Sequence, residues 1–350
     1  METTIRVWTL GQLAELLDGT LHGPPDRSIY RPVPAGVGDP EGITFAESAE
    51  YLERVVGTDI GVVLVPRGST TYPFATLEVA HPRAAFGNIL AMFHRPLPID
   101  PGIHPTAVVS PEATVSPGAA IGAYAVVERN TFIGEGSRVY PFAYIGEGCR
   151  LGSDVTIYPH AVLYQDVLVG DRSIVHSGAT IGADGFGFVW NSKARSYRVK
   201  VPQVGQVEIG PDVEIGALTA IDRATAGSTV ISEGTKLDNF VQIGHNCTIG
   251  EHTVIAGQTA LGGSSVIGRR NDIGGQVAIT DHVKICDDVI LAGRTGVTND
   301  LTEVGAYWGT PAKPIGFAKR IVAMMQKLPE LNRTIKDLEK RLAQLEQEKR

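Results

Sequence analysis

Three cysteines in 350 residues are too few for a disulfide framework. Cys149 and Cys247 each stand two residues before an aliphatic position of the repeat described below. That slot takes small inward side chains, so both are read as core residues rather than a redox pair or metal ligands. No apolar run reaches the length of a membrane span, and Met1–Leu10 lacks the apolar core of a signal peptide. These two absences predict a cytoplasmic protein without a membrane span. An excess of positive charge is missing as well: the formal net charge of −7 argues against nucleic acid as a partner. Glycine, by contrast, is abundant at 41 residues, but it recurs with a period, which excludes low complexity.

The period is six. From Leu237 every sixth residue is aliphatic through Ile243, Ile249, Ile255, Leu261, Ile267, Ile273, Ile279, Ile285 and Leu291 to Val297. Glycine follows at 244, 250, 262, 268 and 274, where a turn favours a residue without Cβ. Neither the helical 3.6 nor strict alternation accounts for this spacing, so a repeat architecture is indicated. The fold class predicted is mainly β, a parallel β-helix in which three hexads close one triangular coil. Residues eighteen apart then stack at roughly the 4.8 Å spacing of neighbouring strands.

Residues 1–100 show no hexads and read as a small α/β domain. Thr9 caps a helix carrying Leu10, Leu13, Leu16 and Leu17; Gly61–Val65 and Thr76–Ala80 are strands; Arg83–His94 is a helix with Pro82 near its start. Pro96–Pro105 holds four prolines and reads as a stiff linker. The ladder occupies 101–310, unbroken from Ile103 to Ile181, with an excursion over 183–206 that reads as a hairpin loop. A further insertion lies near Ala224–Thr229. Long loops in a solenoid belong to binding sites. In 311–350, Lys319–Lys327 reads as helical; a heptad seam then runs through Leu328, Leu331, Ile335, Leu338, Leu342 and Leu345, with Pro329 in the first turn of its own helix. This tail carries ten Lys or Arg against five Asp or Glu, which suits an acidic partner.

His245, in Asp238-Asn-Phe-Val-Gln-Ile-Gly-His-Asn246, falls at a corner two residues after Ile243. Eighteen residues on is Gly263, and eighteen more reach Asp281 with His282 beside it. One edge is therefore predicted to align an imidazole, an exposed backbone N–H and a second histidine. A neutral imidazole is a general base, and an N–H can stabilise an oxyanion, which is what acyl transfer needs. Two other readings compete. Solvent-facing histidines at a corner can be inert, and zinc can be held by histidines, but His245 and His252 are seven apart and fall on different faces.

The motifs Ile181-Gly-Ala-Asp-Gly-Phe-Gly-Phe188, Val201-Pro-Gln-Val-Gly-Gln-Val207, Ile221-Asp-Arg223 and Asp238–Asn246 resemble those of the UDP-3-O-(3-hydroxyacyl)glucosamine N-acyltransferases of lipid A biosynthesis. The resemblance covers nearly the whole chain. It implies a left-handed β-helix, a homotrimer with active sites between adjacent β-helices, and transfer of a (3R)-3-hydroxyacyl chain from acyl carrier protein to the 2-amino group of UDP-3-O-acyl-glucosamine. No separate cofactor or metal is implied; the acyl group arrives on the carrier's 4'-phosphopantetheine. By the same resemblance His245 is the base, Gly263 the oxyanion donor and His282 a second active-site histidine, with Asp238, Asn239 and Gln242 in supporting roles. Phe45 in Ile43-Thr-Phe45, Ser48 and Tyr51 match a uridine-nucleotide site, although Ser48 stands where Asn is frequent. Gly296 falls where relatives end the acyl groove with a bulky residue, so a deeper groove and longer acyl chains are expected. Arg294 and the basic tail Lys313–Arg350 fit the acidic carrier. A sugar O- or N-acetyltransferase using acetyl-CoA would share the scaffold but lack the N-terminal domain and the Gly-Ala-Asp-Gly-Phe-Gly loop. A non-catalytic structural β-helix would need neither the His–Gly–His edge nor the excursion.

Overall fold

A computed structural model describes residues 7–69, 72–193 and 195–348. Most of Met1–Leu10 and the last two basic residues of the tail lie outside the described residues. The chain divides into two compact units, Met1–Pro98 and Ile99–Arg350.

The first unit is a five-stranded sheet with three helices. Ile60–Pro66 lies at its centre and is buried on both faces, as its continuous apolar run requires. Val62 and Leu64 pack with Leu10, Leu13 and Ile89 on one side; Val63 and Val65 pack with Ala46 and Val55 on the other. Helix Leu10–Leu16 is closed by a capping box between Thr9 and Gln12. The seven-residue strand Asp39–Phe45 and the helix Ala49–Val55 have no hydrophobic period that would have marked them in the sequence.

The second unit is a left-handed parallel β-helix of mostly two-residue strands on three faces, numbered in chain order from Gly102–Ile103 (first), Val108–Val109 (second) and Thr114–Val115 (third). Ile243 pairs with Leu261, Leu261 with Ile279 and Ile279 with Val297, so the predicted eighteen-residue stacking holds. The ladder aliphatics form one continuous core; Ile243, Ile249 and Ile255 are fully buried. The slot two residues earlier faces inward too, and its small polar side chains reach a carbonyl fifteen residues on. Thr253 Oγ1 donates to Gly268 O at 2.9 Å, Thr259 Oγ1 to Gly274 O at 3.0 Å and Cys247 Sγ to Gly262 O at 3.2 Å. Cys149 and Cys247 are buried in this role.

Corners carry a residue in the left-handed region, such as Asn246, Ser264 and His282 at φ 59°, 61° and 60°. Two coils are longer than the rest. Ile181 pairs with Ile221, enclosing the excursion, and Ile221 pairs with Ile243 across the second insertion. The excursion carries a hairpin, Phe188–Trp190 against Arg198–Lys200. The proline-rich segment also differs from expectation: Gly102–Ile103, inside Pro96–Pro105, already pairs with Ala120–Ile121 as the first coil.

The C-terminal region is one helix, Ile315–Glu348, with Pro329 inside it rather than at the start of a second. Proline removes one intrahelical hydrogen bond and strains its preceding turn, and the helix runs through both. The heptad residues Leu331, Ile335, Leu338 and Leu342 are exposed along it. Among the described residues no helix is long and apolar enough to cross a membrane.

Candidate active site

His245 follows strand Gln242–Ile243 at the corner between the second and third faces. Its Nδ1 lies 3.1 Å from Asn246 Oδ1. That oxygen already accepts the Thr225 N–H at 2.9 Å, while Asn246 Nδ2 donates to Ala226 O at 2.9 Å. The amide orientation is thereby set, and Nδ1 must be the donor. Nε2 is left unprotonated in the neutral ring, as a general base requires. The insertion at Ala224–Thr229 thus has a use: it supplies the backbone that orients Asn246, which orients His245.

Nε2 lies against Gly263 in the next coil. A Cβ on Gly263 would sit 2.6 Å from it, so a larger residue would displace the imidazole. Gly244 is constrained the same way, since its Cβ would meet Gly263 N at 2.8 Å. At some equivalent corner positions the backbone N–H is capped by a side chain, Ser153 by Asp171, Gly257 by Asp238 and Arg269 by Asp287, and at others, such as Gly275 and Asp281, it is not. The Gly263 N–H has no such cap, nor any other acceptor among the described residues. It is a donor left available at a cleft.

That cleft, about 640 Å³, is lined by Gln242, His245, Gly263 and Asp281 from the coils and by Asp184, Gly185, Phe186, Phe188 and Lys200 from the excursion. Gly185 packs directly on the imidazole; a Cβ there would meet His245 Cβ at 2.7 Å. Lys200 Nζ pairs with Asp184 Oδ2 at 2.5 Å. Asp222 also lines the cleft, beside Gln242. The sequence reading assigned it no role, though the Ile-Asp-Arg triplet was the available signal.

His282 is elsewhere. Its N–H donates to Gly263 O at 3.0 Å, but it occupies the left-handed corner position stacked above Ser264 and Asn246, is exposed, and does not line the cleft. The residue in register with His245 and Gly263 is Asp281. Asp238 and Asn239 lie at the corner between the first and second faces. Asp238 Oδ2 accepts from Gly257 N at 2.9 Å and Asn239 Oδ1 from Ala217 N at 2.7 Å, both tying coils together. They help line a second cleft of about 570 Å³ with Phe240, Gln258, Gln276 and Arg294. Arg294 Nε donates to Gln276 Oε1 at 2.8 Å. His252 sits at the corner between the third and first faces, on a different edge from His245.

Gly296 does not open a groove. A Cβ there would lie 2.7 Å from Thr310 Cγ2, so the space a bulky residue would take is already filled by Thr310. The expectation of a deeper groove therefore loses its geometric basis. In the first unit, Phe45 stacks on Tyr51 at 6.0 Å between centroids and tilts on Phe86 at 5.0 Å. Ser48 is the exposed N-cap of helix Ala49–Val55, and its hydroxyl makes no capping bond.

A sequence model of the bacterial transferase hexapeptide (six repeats) matches residues 124–157, 148–183 and 228–263. A UDP-3-O-acylglucosamine N-acyltransferase from Pseudomonas fluorescens is 38% identical over 98% of this chain and 96% of its own length. One of the same name from Pseudomonas syringae pv. tomato is 37% identical over 97% and 96%. The chain belongs to the UDP-3-O-acylglucosamine N-acyltransferase family. It is accordingly an acyltransferase, and the hexad reading of its fold stands. Among solved structures it resembles a UDP-N-acetylglucosamine O-acyltransferase from Moraxella catarrhalis, at 26% identity and a TM-score of 0.43 over 60% of this chain and 72% of that one. An Arabidopsis UDP-N-acetylglucosamine acyltransferase gives 21% identity and a TM-score of 0.48 over 61% and 73%.

Proposed function

We propose that this acyltransferase moves a 3-hydroxyacyl chain from acyl carrier protein to the 2-amino group of UDP-3-O-acyl-glucosamine, a step of lipid A biosynthesis. The observation that carries the chemistry is His245 Nε2, the acceptor nitrogen of the neutral ring, set against a glycine whose N–H no side chain caps. As the amine attacks the thioester, Nε2 takes a proton from nitrogen. The carbonyl oxygen, now negative, accepts the Gly263 N–H. Collapse breaks the carbon–sulfur bond, and the imidazolium returns its proton to the departing thiolate. The donor's phosphopantetheine arm brings the thioester, so no metal or separate cofactor enters.

A homotrimer is supported by the outward residues of the second face. Val126, Tyr144, Val162, Thr180, Ala220, Gln242, Ala260, Ala278 and Gly296 include no charge, whereas the first face shows Arg138, Glu214, Lys236 and Asp272 and the third Arg150, Glu208 and Lys284. An uncharged strip of this length suits burial against copies of itself. The His245 corner and the Asp238–Arg294 corner flank that face on its two sides. Threefold packing on it would bring one protomer's His245 corner to its neighbour's Asp238 corner, which gives Asp238, Asn239 and Arg294 a place in the site. Phe45 and Tyr51 present aromatic surface for the uracil, with Ser48 beside them. The basic helix is the surface offered to the acidic carrier, and the reaction is placed in the cytoplasm, where that carrier is loaded.

The test is a transfer assay with 3-hydroxyacyl carrier protein and UDP-3-O-acyl-glucosamine, following the amide product by mass. Wild type should form it and His245→Ala should fall by about 10³-fold or more. Equal rates would remove His245 from the role of base.

A further inference from the structure

An amine acceptor differs from a hydroxyl by one proton. At neutral pH an amino sugar carries an ammonium group, and turning ammonium plus thioester into amide plus thiol takes two protons from nitrogen. His245 takes one and returns it to sulfur. The other needs an acceptor within reach of the same nitrogen.

Asp222 is placed for this. Its strand pairs Ala220 with Gln242 and Ile221 with Ile243, so Asp222 continues beside the start of the His245 corner. Ile221 and Arg223 point inward and are buried; Asp222, between them, points out and lines the cleft with His245 and Gly263. The Gln242 amide, which donates to Ile243 O at 3.2 Å, lies beside it on the cleft wall. Among the described residues no Lys or Arg forms an ion pair with it, whereas Asp184 across the cleft is engaged by Lys200. The other charged or titratable groups around it are His245 above, Asp281 one coil further, the inward Arg223 and the buried Cys247 thiol. Burial, helped by the charge of Asp184, pushes the Asp222 carboxyl up from its ordinary range, against the nearby Gln242 amide and the field of His245. A carboxylate so raised is a better proton acceptor than one in water.

We propose that Asp222 holds the acceptor's ammonium beside His245 and takes its first proton, which makes this corner selective for amines over hydroxyls. The inference rests on the N-acyl reading above. In sequence, an ammonium proton passes to Asp222 Oδ and the neutral amine attacks the thioester carbon, so that the carbon–nitrogen bond forms. His245 Nε2 takes the second proton, and the carbon–sulfur bond breaks with that proton going to sulfur. Asp222 then releases the first proton to water.

The test is kcat/KM for amide formation between pH 6 and 9 with the carrier-bound donor. Asp222→Asn should lose about 100-fold at pH 6.5 and under about 10-fold at pH 9, where the free amine is already neutral. Asp222→Glu should recover much of the loss at pH 6.5. A deficit of the same factor at every pH would overturn the proposal while leaving the enzyme's reaction intact. Wild type that forms no amide at any pH overturns the parent reading, and this one with it. Melting temperatures accompany each variant. If the Asn variant unfolds early, the Glu variant decides alone: folded, and depressed equally at all pH values, it refutes the role.

Discussion

His245 shows how far a single residue depends on backbone supplied by others. Asn246 sets its tautomer, the insertion at Ala224–Thr229 sets Asn246, and Gly263 and Gly185 leave room for the ring. Gly263→Ala is the sharpest test, because a methyl group would have to occupy space held by Nε2. Transfer should fall by about 10²-fold or more, because the methyl displaces the imidazole from its alignment while the backbone N–H remains, and the melting temperature should change little, since the coil's inward residues are untouched. A second residue-scale expectation concerns the thiols. Burial pushes Cys149 and Cys247 up to about 11 each, so at pH 8 only about one in a thousand is thiolate. Cys286 is half-buried. Titration of the native protein with a disulfide reagent should therefore read one reactive thiol, and three after denaturation. Three rapid thiols in the native state would contradict the packing of those slots.

At the scale of elements, the corners are tied by ion pairs between successive coils. Arg172 bonds Asp212 and Arg270 bonds Asp288, and each side-chain hydrogen bond holds its carboxyl below the ordinary range; Asp287 is held low by the Arg269 backbone N–H and then its guanidinium. A carboxyl lowered on folding contributes stability that is present above its unfolded value and is lost as pH falls through the folded one. The melting temperature should accordingly stay level from pH 8 to 5 and drop below about pH 4. Arg172→Gln combined with Arg270→Gln should flatten that drop; an unchanged acid limb would assign it to other carboxyls. The helix Ile315–Glu348 is read at the same scale. Its heptad pattern is plain in the sequence, yet local propensity placed a break at Pro329 that the structure does not make. A proline tells where a hydrogen bond is missing, not whether the flanking turns carry on without it.

Across the whole molecule, the uncharged column of outward residues on the second face, from Val126 to Gly296, is the feature with the widest consequence. Ala260 and Ala278 point outward from it and are exposed in a single chain. If that face is buried against copies of itself, Ala278→Arg would place a charge in the contact. Light scattering should then show the mass of one chain instead of three, with activity lost even though the His245 corner is unaltered. A variant that stays trimeric and active would move the interface elsewhere.

Coil, register and core were legible in the chain itself. A period of six with one aliphatic per hexad admits a single way to hide those side chains, and residues eighteen apart have to stack, which is why the sequence alone pairs His245 with Gly263. Which way each corner side chain turns was not legible, because it depends on position within the corner and on neighbouring segments. His282 stands one residue past the register and does not line the cleft. Asp222 is brought in by an irregular coil. Gly296 is roofed by Thr310, fourteen residues later and after the last hexad. Periodicity specifies what must be buried; the remaining contacts come from loops that break the period, and only the folded chain decides those.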